Sequence, residues 1–451
     1  MDNFSQTNNV PVGGSAHCRP PVKQGNRDMQ ALKFSLMATA VALMMSTTAA
    51  MAQTEVRFTH SITGGSSRVA LDTIIAGFEA ANPDIKIKEI VFDDDQYSNQ
   101  GLITQLKSNE VPDIFFEWAG LRVQRNVEAG YAYDLSEAMA TDGWKDSFSP
   151  SVWTEGAGTM VDGKPYMVPL SFDLTNTIWY NKTIFAEHNL TPPTTWDEFV
   201  ALTKTLADAG ETPIVEGNNE FWPLGNWAGH IAAMVVPPEE YLAAFKQEGP
   251  FNTPGFEKAL ELLVGLHEVG AFNKDMQSLG ADPAMATFFQ EGAVMHPIGS
   301  WLVSETGNLA EEGFEYSQFN TPVIDPAHPL ANGVIGTITG LVVHKDAQHP
   351  AEAIKFLKYL TSEASQIIWA ESGQMSPVNG VSEKAKLDEQ TQAMLALMSG
   401  APSIVPPPDN KYPVPVAEAF YQAAAYAAAG EKSAKDALVW LDETVTAMGK
   451  Q

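Results

Sequence analysis

The chain has 451 residues, enough for two or three domains with large cores, and its 44% hydrophobic, 10% aromatic and 18% charged residues are ordinary for a globular protein. Acids outnumber bases by 55 to 27, a formal charge of −28 that repels DNA, RNA and anionic lipid and so disfavours them as partners. Beyond solubility the acidity points to nothing narrower.

Residues 1–28 read as a disordered extension or a misassigned start. Residues 29–52 read as a signal peptide: Lys33, an apolar run from Phe34 to Met45, then small residues ending Ala50-Met51-Ala52 before Gln53. The apolar run is too short to span a bilayer as a helix, and no later stretch of 18 or more apolar residues exists. Cleavage after Ala52 removes the single cysteine, Cys18, leaving no disulfide, thiol nucleophile or cysteine metal site to expect. No cysteine stands at the cleavage point to carry a lipid. The expectation is a freely diffusing periplasmic monomer.

Val56 to Thr59 opens the mature chain as a short strand, followed by a loop, His60 to Ser67, holding Gly64-Gly65-Ser66. Leu71, Ile74, Ile75 and Phe78 share one face of a helix predicted over Arg68 to Ala81, which Asn82-Pro83 stops. Ile85 to Lys88 alternates as a strand and runs into Ile90-Val91-Phe92. Leu102, Ile103 and Leu106 suggest a helix broken by Pro112, and Ile114-Phe115-Phe116 reads as a buried strand. Strand and helix in alternation imply a parallel sheet, whose ligands bind beyond the carboxyl ends of the strands. That rule puts Gly65, Ser66 and Trp118 at a candidate binding edge.

Further on, Thr195-Trp196-Asp197-Glu198 is a capping box, Leu202 and Leu206 continue its inner stripe, and Gly210 closes the helix. Pro254, Leu260, Leu263 and Leu266 mark another helix. Gly340 to Val343 reads as a strand, Pro350 opens a helix carrying Ile354, Leu357 and Leu360, and the last eighty residues are helical apart from Pro402 to Pro415.

Four segments taken together resemble family 1 of the extracellular solute-binding proteins, the maltose-binding-protein-like components of ABC importers. They are Phe78 to Ile85 with Pro112-Asp113-Ile114; Asp162 to Tyr166 with Pro169, Tyr180-Asn181-Lys182 and Pro193 to Trp196; Phe288 to Met295 with Gly299-Ser300-Trp301; and His349 to Ala353 with Phe356-Leu357. The resemblance implies an α/β, two-lobe periplasmic-binding-protein (type II-like) fold with a multi-crossing hinge. Carried over by position, one lobe takes 53–172 plus 338–373 and the other 174–334 plus 376–451. Crossings are expected near Phe172 to Asn176, Val334 to Thr337 and Gly373 to Pro377. The implied role is capture of a mono- or oligosaccharide between the lobes and its delivery to the permease subunits of a transporter.

Sugars offer apolar ring faces and a rim of hydroxyls, so aromatic platforms and oxygen or amide partners are the residues to seek. The resemblance points to Trp301 as the second-lobe aromatic, Asp173 as a ligand acid at the crossing, Asn176 beside it, and Tyr412 and Asp409 near a late aromatic position. Trp222 and Trp227 belong to a Pro/Gly/Asn-rich stretch that reads as a loop exposing two indoles. Trp179, Trp196 and Trp440 fall in core patterns. Asp93-Asp94-Asp95 reads as a solvated loop. The acidic–basic pair the family places after the first-lobe tryptophan is replaced by Gly120 and Leu121, with Arg122 just beyond, which argues against a maltose-type ligand.

Gly158 to Lys164 fits phosphate-loop spacing, but Pro165 stands where a magnesium-binding hydroxyl is needed, so it reads as a turn. No cofactor and no metal are expected. Rival readings are a secreted carbohydrate-active enzyme, a sensing adaptor, and a binder of a polyamine, phosphorylated polyol or ferric ion. A phosphate would want an arginine clamp, which is scarce here. The leader reading is checked by N-terminal sequencing of protein recovered from the periplasm of a Gram-negative host: the chain should begin at Gln53, and intact residues 29–52 would overturn it.

Overall fold

The computed structural model describes residues 53–93 and 96–450, so the signal-peptide reading of residues 29–52, the extension at 1–28, Cys18, Asp94 and Asp95 lie outside the described residues. Thr54–His60 (β1) and Ile85–Val91 (β2) pair in parallel, joined by a helix at Gly65–Ala81 (α1) that buries Leu71, Ile74, Ile75 and Phe78. The helix starts three residues earlier than its apolar stripe implies, because Gly65 and Ser66 bend directly into its first turn. Leu102–Leu106 (α2) leads to Ile114–Trp118 (β3), also parallel to β1, and Leu121–Glu128 (α3) follows. The phosphate-loop lookalike is a hairpin: Met160–Val161 pairs Lys164–Pro165, with Asp162 and Gly163 both at positive φ (50° and 76°) in the turn.

Two strands connect the halves. Val168–Leu174 (β4) lies antiparallel to the long strand Val334–Val343 (β8), which also pairs antiparallel with β3 and, at Val334 and Ile335, in parallel with Ile404–Val405 (β9). Only the apolar end of β8, Gly340 to Val343, is legible as a strand. Its first half carries Gly336 and two threonines, and a Cβ at Gly336 would sit 2.6 Å from the Asp173 carbonyl, so glycine there permits the close pairing. Backbone bonds from Phe172 N–H to the Met375 carbonyl (2.8 Å) and from Thr175 N–H to the Ile335 carbonyl (3.0 Å) complete the crossing region.

Around these strands sit separate cores. The first lobe packs Phe58, Phe78, Ile114, Phe115, Leu341 and Phe356, the last from Pro350–Leu360 (α8). In the second lobe Thr177–Asn181 (β5) lies between Met295–Ile298 (β6) and Tyr316–Phe319 (β7), all antiparallel. Against this small sheet pack Trp196–Ala209 (α4), Trp222–Ala233 (α5), Pro254–Glu268 (α6) and the alanine-rich Val414–Ala428 (α10). Thr195 and Glu198 make both bonds of the capping box, and Gly210 ends α4 at φ 92°. A smaller second-lobe core gathers Trp179, Phe288, Leu302 and Val334 under Leu302–Leu309 (α7). The proline-rich break near residue 408 is not wholly irregular, since Pro408–Lys411 forms a single turn (α9).

One buried acid is left without support. Glu216 is 0% exposed, and neither carboxylate oxygen reaches a donor among the described residues. Burial pushes its carboxyl well above the usual range, so the folded protein holds a proton that the unfolded chain releases above pH 4.5. The stability this group permits is therefore full below pH 4.5 and is lost as pH rises toward the folded value. Glu216→Gln should match the parent near pH 4 and exceed it near pH 8, because the parent must take up a proton to fold there, at about 1.4 kcal/mol for each pH unit above 4.5 until the folded value is reached. Urea midpoints at the two pH values check this.

Candidate ligand-binding site

The lobes meet on both flanks of the crossing strands. On one flank the start of α1 abuts α7. Ser66 Oγ donates to the Ser372 carbonyl at 2.8 Å and lies 3.1 Å from the Ser304 carbonyl in the opposite lobe. Gly65 has φ +66°, and a Cβ there would fall 2.5 Å from Glu305 Oε1 and from the Ser304 carbonyl, so two independent reasons demand glycine. Trp301 precedes α7, one turn before Glu305, and its indole lies half-buried at 5.9 Å from that of Trp222. Trp222 opens α5 directly after Phe221, whose φ of 64° is strained for a bulky residue by about 1–3 kcal/mol. Such strain is characteristic of sites where a side chain must be aimed.

On the other flank Trp118 ends β3, half-buried, with the Arg122 guanidinium 5.1 Å from its ring centre. Arg122 Nη2 donates to Asp409 Oδ2 at 3.0 Å, joining α3 of the first lobe to α9 of the second. Between the flanks lies Asp173, 8% exposed, which accepts from Thr339 Oγ1 at 2.7 Å and Ser300 Oγ at 3.1 Å. Burial raises its carboxyl, and the two hydroxyls partly oppose that. Its oxygens are thus engaged in fastening β4 to β8 and to the segment before Trp301, which is the geometry of a hinge residue.

The sequence-derived residues therefore divide. Gly65, Ser66, Trp222 and Trp301 come together on one flank, and Trp118 and Asp409 on the other. Asn176 is 2% exposed and donates to the Pro223 and Pro297 carbonyls (3.3 and 3.1 Å), beneath the start of α5. Trp227 is a correction: it lies one turn and a half into α5, 0% exposed, its ring against Trp196 and Phe199 and its N–H donating to Thr321 at 3.1 Å. The stretch read as a loop is a helix despite its Pro and Gly, because Pro223 sits in the first turn and Gly225 and Gly229 admit Tyr421 and Pro408 at close range. Tyr412 is a second correction. It stacks on Phe245 at 4.8 Å inside the second-lobe core, 6% exposed.

Three acids went unread in the sequence: Glu220, Asp282 and Glu305. Partial burial, then the charges of Glu220 and of Asp93 across the lobes, push Asp282 up, and burial with the Asp282 charge does the same to Glu305. Glu220 Oε2 is buried without a partner among the described residues. The available signal was spacing, since Glu305 is four residues after Trp301 and Glu220 two before Trp222. Paired indole faces beside oxygen acceptors suit a guest with apolar faces and a hydroxyl rim. Hollows of about 350 Å³ beside Leu387 and Leu395 and about 540 Å³ beside Tyr133 and Lys345 are lined by none of the sequence-derived site residues. Among the described residues no group of three or more His, Cys, Asp or Glu could hold a metal ion.

Comparison with known proteins agrees with this architecture. The family model described as bacterial extracellular solute-binding protein matches residues 64–367. A multiple sugar-binding protein of Streptococcus mutans is 28% identical over 335 residues, covering 72% of this chain and 76% of the relative. A solved structure reported with xylan utilization by Caldanaerobius polysaccharolyticus superposes with TM-score 0.78 at 22% identity, covering 87% of this chain and all of that one. RafE in complex with raffinose gives TM-score 0.73 at 20% identity, covering 88% of this chain and 100% of its own. The last two establish the two-lobe fold.

The division of the tryptophans is open to test by denaturation. Trp227→Ala and Tyr412→Ala should each destabilise by about 3–5 kcal/mol through a buried cavity, while Trp301→Ala costs less than half as much. Equal losses at all three positions would contradict the placement.

Proposed function

This chain belongs to the bacterial extracellular solute-binding protein family, and from that premise we propose that it captures a carbohydrate between its lobes in the periplasm and hands it to the permease of an ABC importer. The observation that carries the reading is the Trp222–Trp301 pair, half-buried, beside Glu305 where the second lobe faces Gly65 of the first. Indole faces cover the apolar face of a sugar ring, and carboxylate oxygens accept from its hydroxyls. To Trp118, half-buried on the far side of the hinge strands, we assign the other end of a guest longer than one ring. The multiple sugar-binding relative and the raffinose complex support the same class of ligand.

The protein acts by binding without turnover. Its ligand is released unaltered, and it works as a monomer that the export signal delivers to the periplasm. Asp93, Glu220, Asp282 and Glu305 make the flank acidic, and the arginine opposite is held by Asp409. Phosphorylated or uronic sugars are therefore disfavoured by like-charge repulsion. The same carboxylates favour a second reading, an ammonium-bearing solute such as a polyamine.

Thermal-shift and calorimetric titration with maltotriose, raffinose, xylotriose, N,N′-diacetylchitobiose, glucose 6-phosphate and spermidine separates these. At least one neutral oligosaccharide should raise the melting temperature, equivalent to about 2.7 kcal/mol of stabilisation at a hundred times its Kd. Trp301→Ala should weaken that ligand by about tenfold to a hundredfold, the range of a central aromatic contact. Binding of spermidine alone selects the second reading, glucose 6-phosphate binding overturns both, and conversion of any sugar seen by chromatography makes the protein an enzyme.

A further inference from the structure

Arg122 sits beside several acids at a place where the two lobes touch. Its guanidinium reaches Asp409 at 3.0 Å and leans on Trp118 at 5.1 Å. Behind it Glu117, 3% exposed, accepts from Asn126 Nδ2 at 2.7 Å and from the Trp118 N–H at 3.1 Å. Burial raises Glu117 and the nearby guanidinium opposes that rise. On the second-lobe side Tyr421 Oη lies 3.0 Å from Asp409 Oδ1 and 2.6 Å from Asn226 Oδ1, while Glu418, exposed at the rim, also feels the Arg122 charge. The backbones approach as closely as the side chains: a Cβ at Gly120 would fall 2.3 Å from the Asn410 carbonyl, and Asn410 Nδ2 donates to Thr337 of β8 at 2.9 Å.

We infer that Arg122 and Asp409 form a latch that holds the lobes closed, Arg122 acting on ligand affinity through closure rather than through contact with the ligand. The inference rests on the proposed capture of a solute by lobe closure. Without Arg122, Asp409 and Glu418 of the second lobe lose the cation that faces them from the first, and buried Glu117 is pushed further toward its neutral form, so the attraction between the lobes is lost. Without the Asp409 charge, Arg122 still answers Glu117. The two removals should therefore differ in size, and they should act alike on every ligand. A ligand senses the closed population, and an energy difference between open and closed states lowers all affinities by one factor.

The test uses the full chain with Cys18→Ser and spin labels at Ile103→Cys in the first lobe and Leu242→Cys in the second, both exposed in the parent. Arg122→Met should shift the interlobe distance distribution to longer separations, Asp409→Asn less so, and the exchange Arg122→Asp with Asp409→Arg should bring part of it back. Titration with those of the four neutral oligosaccharides that bind the parent should show Kd raised by one common factor, about tenfold for Arg122→Met. Unchanged distances in both single variants overturn the latch while leaving the carbohydrate reading intact. So does an Arg122→Met loss confined to one sugar with Asp409→Asn at parental affinity, which would make Arg122 a ligand contact. If no sugar binds the parent, the carbohydrate reading fails and the distance measurement still decides the latch. Melting curves accompany each variant, and should Arg122→Met unfold, Arg122→Lys, which keeps the charge without the forked geometry, is expected to shift the distances part way.

Discussion

The pairing of Val168–Leu174 with Val334–Val343 is the constraint on which everything else depends. One strand leaves the first lobe as the other returns to it, and their ladder is made of backbone bonds whose geometry side chains hardly alter. Hydroxyl bonds at Asp173 pin that ladder to the segment that presents Trp301. The aromatic pair on one flank and Trp118 on the other therefore hold positions relative to the same two strands. A rotation within those strands moves both flanks together, which is how a hinge of few residues can govern a wide opening.

Both flanks are built from rigid parts. Gly65 and Ser66 belong to the first turn of a helix and Glu305 to another, so their meeting is helix against helix. Trp118 ends a central strand. Side chains carried on such elements keep their spacing when the lobes move, whereas side chains on free loops would have to be ordered each time a guest arrives.

Elements with strong periodic patterns were legible in the sequence. The stripe of Leu71, Ile74, Ile75 and Phe78, the capping box at Thr195 and the strand at Ile114 needed only local rules, since apolar spacing and caps determine them. What stayed hidden depended on distant partners. The first half of β8, Val334 to Thr339, is β-branched apart from Gly336 yet reads only as a lobe crossing; β4 and β9 lie beside it and extend the strand through the glycine. Trp227 falls in a Pro/Gly/Asn-rich segment that reads as exposed, and Tyr412 in a proline-rich break where only the resemblance pointed to a site; Trp196 and Phe199 cover the first and Phe245 the second. Single indoles on a sequence carry no label of inside or outside; Trp222 and Trp227 share one helix, about a turn and a half apart, and differ by what packs above them. The acids at 220, 282 and 305 were invisible for the same reason, being three among 55 until folding gathers them.

Gly299 lies directly under the ring of Trp301, and a Cβ at that position would come within 1.9 Å of the indole. Only the bare backbone lets the ring recline there. In the proposed binding role, that packing fixes the ring while the protein folds rather than when a guest arrives. For a shallow contact with a hydrated molecule that difference is material, because immobilising a side chain at the moment of binding costs about 0.5–1.5 kcal/mol. A methyl group added at residue 299 would therefore blunt recognition from beneath, by unsettling a surface it never shares with the guest.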